Sequence, residues 1–150
     1  MSSRDIEDLV ETARSKCRAW VAACTARDVE VLVYCTYRSA AEQDRLYAQG
    51  RTAPGPVVTW ARAWQSWHQV RRAWDAVPMV GGKPLWGYSA SLVPWQVVVE
   101  EAERLGIEWA GRRTHMREMV HYQVADGLTL EAARQLVETL GLVTAEERSA

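Results

Sequence analysis

The chain is predicted to be an α+β protein, a small, mainly antiparallel sheet flanked by helices, from three observations. An amphipathic helical pattern opens the chain, a short β-branched run follows it, and a Gly-Gly hairpin signal lies farther on. From about Ile6 to Ala26, Leu9, Val10, Ala13, Cys17, Trp20, Val21 and Cys24 recur at helical spacing, so one face should pack inward. Val29 to Cys35 is too short for a helix and reads as a largely buried strand. Ser39 opens a second helix, with Glu42 placed as in a capping box, running to Ala48 and ending near Gly50. Thr52 to Pro56 is a loop, because its two prolines lack N–H donors and its glycine admits unusual dihedrals. Ser66 to Val80 reads as short strands, and Gly81-Gly82 turns the chain into Lys83-Pro84-Leu85-Trp86. Pro94 to Leu105 is a helix stopped by Gly106, Val120 to Val124 a strand, and Thr129 caps a last helix to Leu140 before Gly141.

At 150 residues and 48% hydrophobic the chain fits one domain, so residues 1–150 are expected to form a single catalytic unit. With 18 basic and 19 acidic side chains it has no general drive toward nucleic acid. Charge is uneven, since Tyr37 to Lys83 holds seven Arg or Lys against three acids, a span that would attract a carboxylate-bearing substrate. Cys17, Cys24 and Cys35 are too few for a disulfide framework and lack CxxC spacing; Cys17 and Cys24 share a helix face and should fill core. The acidic N-terminus is unlike a signal peptide, and no run of about 18 apolar residues suggests a membrane span. Synthesis in the cytoplasm without membrane association is therefore expected, with release by another factor if the protein acts outside. Without heptads, a monomer is expected.

Two fragments carry chemistry. Ser66-Trp67-His68 is followed seven residues on by Asp75, and Glu118-Met119-Val120-His121 comes much later. His68, Asp75 and His121 supply two imidazoles and a carboxylate, a three-ligand zinc set at the sheet that leaves a position for water. His68 and Asp75 are an odd number apart, so one straight strand would point them to opposite faces; a turn near Val70 to Arg72 must bring them together. Glu118 is placed to take a proton from the attacking water and hand it to a leaving amine. Arg38, just after the buried strand, is the candidate second cation for the negative charge of a tetrahedral intermediate. These residues are the inventory of a hydrolase. The third histidine, His115, has no motif around it and is assigned to the surface or substrate rim.

The stretch Val31 to Ser39, with Gln43, Leu46 to Thr52, Gln65-Ser-Trp-His68, Ala73-Trp-Asp75, Glu108-Trp109 and His121-Tyr-Gln123, resembles the phage endolysin and bacterial L-alanyl-D-glutamate peptidases. These belong to the zinc D-alanyl-D-alanine carboxypeptidase superfamily. The resemblance spans about Val29 to Leu140 and implies His68, Asp75 and His121 as zinc ligands, Glu118 as catalytic acid/base and Arg38 as the arginine that steadies substrate and transition state. It also implies that Ser66 and Gln43 support the substrate pocket. The implied reaction is cleavage of the peptidoglycan stem peptide between L-alanine and D-glutamate, lysing a phage host from the periplasmic side of its membrane. D-alanyl-D-alanine carboxypeptidase-type cleavage is the neighbouring activity.

The chain departs from the family pattern in three places. Arg71 stands at a glycine position, where positive φ costs an arginine about 1 kcal/mol or more. Trp64 stands where glycine is common, and Glu118-Met-Val-His121 replaces Asp-x-Pro-His. Eight tryptophans and no phenylalanine leave Trp60 and Trp64 as candidates to line a peptide or sugar groove, with Trp67 and Trp74 assigned to core or sheet face. No separate wall-binding module is visible. Two alternatives stay open from the residues alone: a catalytically inactive relative that binds wall peptides, and a Trp-rich interaction domain with a fortuitous motif.

Overall fold

A computed structural model of the chain describes residues 2–149. Its elements in order are α1 (Glu11–Ala26), β1 (Glu30–Cys35), α2 (Ala40–Ala48), β2 (Ala73–Val80), β3 (Lys83–Pro84), α3 (Val93–Arg104), β4 (Glu108–Trp109), β5 (His121–Gln123), α4 (Leu130–Thr139) and α5 (Ala145–Arg148). The strands of the described residues form one antiparallel sheet in the order β1-β2-β5-β4, with β3 hairpinned onto β2. The expected α+β class holds.

Leu9, Ala13, Cys17, Trp20 and Cys24 make the buried stripe that the spacing predicts. The helix is shorter than expected: Ile6–Asp8 is a separate 3-10 turn, and Val10 stays extended because its N–H goes to Arg71 O at 3.0 Å. α1 and α3 pack on one face of the sheet, tied by Trp20 Nε1 donating to Val98 O at 2.9 Å. Alternation along the strands then sorts the side chains. Trp74 and Tyr122 point into this core beside Trp20, with ring centroids 4.6 to 6.2 Å apart, while Asp75 and His121 point to the opposite face. Burial pushes the Cys17 and Cys24 thiols up to about 12, consistent with inert core filling.

Ser39 caps α2 by accepting from Glu42 N, Thr129 caps α4 by accepting from Ala132 N, and both helices end close to their expected boundaries. The segment before β2 corrects the sequence reading. Residues 64–71 form consecutive turns, not a strand, with Gln69 N, Arg71 N and Arg72 N donating to Ser66 O, His68 O and Trp67 O. Trp64 and Arg71 both take positive φ, 62° and 59°, as expected for side chains occupying glycine positions. The bend therefore exists, but it winds the chain into β2 and does not pair two strands. A second apolar cluster of Val70, Ala133, Val137 and Val143 packs α4 under this turn. β4 and α5 were not foreseen; α5 carries a capping box between Thr144 and Glu147.

Candidate active site

Three strands present their side chains in one row. Asp75 on β2 lies directly opposite His121 on β5 and, across the other edge, opposite Cys35 on β1. A β-bulge after Val33 sets that second pairing, displacing Tyr34 so that Cys35 meets Asp75. The 64–71 turn then folds His68 over the row. His68 Nε2 is 3.1 Å from Asp75 Oδ1, and His121 Nδ1 is 3.1 Å from the same oxygen. The two imidazole rings stand nearly edge-on, 5.0 Å apart.

The remaining ring nitrogens decide what this meeting can hold. His68 Nδ1 lies 2.6 Å from Thr36 O, and His121 Nε2 lies 2.8 Å from Gln123 Oε1. Carbonyl oxygens only accept, so in the neutral rings those nitrogens carry the protons and His68 Nε2 and His121 Nδ1 keep lone pairs. Two lone pairs and a carboxylate oxygen thus converge with no donor of their own between them. Such a set requires a cation, and two atoms about 2.0–2.1 Å from a tetrahedral zinc are about 3.3 Å apart, close to the spacing found. The donor set fits zinc. Each imidazole also gives its other N–H to an oxygen, as metal-bound histidines do.

With no cation bound, a proton takes its place. Burial disfavours the His68 imidazolium, but the Asp75 carboxylate outweighs it and pushes His68 up to about 10. Burial likewise opposes the Asp75 charge, and His68 and His121 overcome it, holding that carboxyl well below its usual range. Cys35 Sγ also comes near, within 4.8 Å of donor atoms on His68 and Asp75. It lies 3.9 Å from His68 Nδ1, the edge already taken by Thr36 O, so it sits behind the converging lone pairs.

Glu118 Oε2 is 3.7 Å from His121 Nδ1 and lines the open side. The segment that carries it is fixed by Trp109 Nε1 donating to Met119 O and Arg117 Nε to Gly111 O, each at 2.8 Å. Gly111 must be glycine, since a Cβ there would stand 2.1 Å from the Trp109 ring. Arg38 Nη2 donates to Asp75 Oδ2 at 3.2 Å and to Cys35 Sγ at 3.3 Å, leaving Nε–H without a partner among the described residues. Gln43 is fully buried behind it: Oε1 accepts from Arg38 Nη1 at 3.0 Å and Nε2 donates to Ala61 O at 2.7 Å. Any support Gln43 gives the pocket runs through Arg38 and the 59–61 loop. Ser66 lines the cleft, and its Oγ accepts from His68 N at 3.3 Å.

The open cleft over this row has a volume of about 540 Å³, with Trp60, Tyr34 and Met116 among its apolar walls and Arg38 and Arg113 as its cations. Trp60 is 56% exposed, as a groove residue should be. Trp64 corrects its expected place: its ring turns away from the cleft, donating to Glu147 O at 3.1 Å and lying 4.1 Å under the Arg134 guanidinium. Trp74 is core, while Trp67 packs on the second cluster and borders the cleft. His115 is exposed. The sequence reading left Gln123 without a role, although its position two residues after His121 on a strand placed both on one face.

The profile of the D-alanyl-D-alanine carboxypeptidase family of peptidases matches residues 59–124, from the cleft loop to the end of β5. A relative from Bacillus subtilis (strain 168), the peptidoglycan L-alanyl-D-glutamate endopeptidase CwlK, is 33% identical over 123 residues, covering 78% of this chain and 74% of the relative. The chain belongs to this peptidase family. Solved structures share its fold. The Serratia marcescens L-Ala D-Glu endopeptidase ChiX matches with a TM-score of 0.55 at 18% identity, over 83% of this chain and 88% of that one. The vancomycin-resistance D,D-pentapeptidase VanY, solved with Zn(II), matches with a TM-score of 0.56 at 19% identity, over 87% and 78%.

Proposed function

We propose that this chain is a zinc peptidase that hydrolyses the bond between L-alanine and D-glutamate in the peptidoglycan stem peptide. The observation that carries the reading is the meeting of His68 Nε2, His121 Nδ1 and Asp75 Oδ1 at one point, with the other ring nitrogen of each imidazole held by an acceptor oxygen, Thr36 O or Gln123 Oε1. The likeness to an L-alanyl-D-glutamate endopeptidase at 33% identity supports the choice of bond. His68, Asp75 and His121 would hold the zinc, which when bound supplies Lewis acidity toward a carbonyl oxygen and makes a water more acidic.

The chain's own residues do the rest. Glu118 accepts a proton from the water that attacks the alanyl carbonyl, then delivers it to the glutamyl nitrogen as the C–N bond breaks. Arg38 faces the charge that develops on the carbonyl oxygen, and Gln43 keeps its guanidinium in place. Ser66 ties down the backbone of His68. Trp60, at the rim, offers a flat apolar face to the substrate.

The role that follows is that of an endolysin: one catalytic unit, monomeric, made in the host cytoplasm and reaching the wall once a separate factor opens the inner membrane. The resemblance to phage endolysins supports this role. Among the described residues no helix is long and apolar enough to cross a membrane.

Digestion of purified peptidoglycan by zinc-loaded protein tests the proposal. New amino termini on D-glutamate are expected, and Glu118→Gln should release them at least 100-fold more slowly, at the low end of general acid–base contributions of about 10²–10⁴. A variant as fast as the parent removes Glu118 from the mechanism. Free D-alanine without new glutamyl termini replaces the assignment with a carboxypeptidase, and binding without any release replaces it with an inactive wall-peptide binder.

A further inference from the structure

Resting on the zinc reading above, we infer that Arg113, Gln123 and Glu108 form a positioning chain that fixes how the His121 ring is oriented toward the metal. An imidazole can carry its proton on either nitrogen, and an amide can present either its oxygen or its NH2 group. Only one combination leaves His121 Nδ1 with a lone pair facing Asp75: Gln123 must offer Oε1 to Nε2–H.

Two neighbours impose that combination. Arg113 Nη2 donates to Gln123 Oε1 at 3.2 Å, and a guanidinium has no acceptor, so the atom it meets must be the amide oxygen. Gln123 Nε2 donates to Glu108 Oε2 at 3.2 Å, and an ionised carboxylate has no donor, so the atom it meets must be the amide nitrogen. Reversing the amide would set NH2 against the guanidinium and the imidazole N–H, and oxygen against carboxylate. Gln123 is buried, so water cannot easily mend those mismatches.

The fold supplies each member. Glu108 is the cross-strand partner of Gln123 in the β4–β5 pair, and Gln123 follows His121 at the same-face interval on β5. Arg113 follows the 3-10 turn at Ala110–Arg112. His68 needs no such help, because its acceptor is the backbone carbonyl of Thr36, which cannot flip. One imidazole is therefore oriented by the main chain, and the other depends on side chains that can be changed one at a time.

The test is zinc affinity of the full chain, measured by competition with a chelator and without substrate, so that the place of Arg113 in the cleft has no bearing. Gln123→Leu should weaken zinc about 10–100-fold, the usual effect of losing an outer hydrogen-bond partner, and Arg113→Met about tenfold. The exchange Glu108→Gln with Gln123→Glu keeps an acceptor oxygen for His121 and Arg113 and a donor between the strands, so it should hold zinc within about threefold of the parent. In zinc-loaded protein the His121 Nε2 proton should exchange slowly with solvent in the parent and the exchange variant, and faster in Arg113→Met. Melting of the metal-free variants checks folding. If Gln123→Leu does not fold, Arg113→Met decides, since its side chain is half-buried at the cleft. Unchanged affinity and unchanged proton exchange in Arg113→Met overturn the chain alone. A parent that takes up no stoichiometric zinc overturns the proposed function itself.

Discussion

Arg71 sits at φ 59°, a conformation that costs a side chain with a Cβ about 1–2 kcal/mol. Its contacts explain why an arginine is held there. Nη1 donates to Asp8 O at 3.1 Å, the guanidinium lies 4.0 Å over the Tyr37 ring, and Nη2 reaches Leu142 O at 3.4 Å. A cation–π contact adds about 0.5–1 kcal/mol and a hydrogen bond from a charged donor about 1.5–3, so the contacts outweigh the strain. Trp64 repeats the pattern at φ 62°, spending its glycine-like backbone to reach Glu147 O. Arg71→Gly should therefore lower stability by about 1–2 kcal/mol in urea unfolding, although it relieves the dihedral. A stabilised glycine variant would mean that the contacts contribute less than the strain costs.

Elements with strong local signals were legible in the sequence: the apolar stripe of α1, the Ser39 and Thr129 caps, the Gly81-Gly82 turn and the β-branched β1. What stayed hidden was set by partners distant in sequence. Val10 leaves the helical path because Arg71 O, 61 positions away, takes its N–H, and the two residues of β4 become a strand only beside β5. At the site the residue types and spacing pointed to His68, Asp75, His121, Glu118 and Arg38, and the structure gathers all five at one cleft. Trp64 was misplaced because an exposed-looking aromatic at a turn gives no hint of which way the turn faces. α5 was hidden for a similar reason, since four residues make a helix only when docked. The Glu147 side chain helps tie it down: burial opposes the charge, but Tyr37 OH from outside the helix and Thr144 N at its own N-cap donate to the carboxylate and hold its pKa below the ordinary value. A depressed carboxyl stabilises above its unfolded pKa of about 4.3 and loses that contribution as pH falls through the lower folded value. The protection of residues 144–149 from hydrogen exchange, taken relative to the intrinsic rate at each pH, should fall as pH drops below the ordinary carboxyl range, and Glu147→Gln should show the lower protection already at pH 7. Equal protection in that variant at pH 7 would show that the charge does not dock α5.

At the scale of the whole molecule, the proposed ligands come from β2, β5 and the turn packed on α4, so a bound ion would join the sheet to the second apolar cluster, while α1 and α3 hold the other face without it. Zinc at about 100 times its dissociation constant should add about 2.7 kcal/mol, which for a chain of this size raises the melting temperature by about 5–10 °C. Protons compete for the same place. In the metal-free protein burial opposes the His68 charge but Asp75 pushes the imidazole up to about 10 from near 6.5, so its proton stabilises that state fully below about pH 6.5 and less as pH climbs toward 10. Raising pH therefore weakens the metal-free protein and frees the ligands, and both effects act in one direction. The gap in melting temperature between zinc-loaded and chelator-treated protein should widen steadily from pH 6 to pH 8.5. A gap that stays constant or narrows over that range would mean that proton and metal do not share the space between His68 and Asp75.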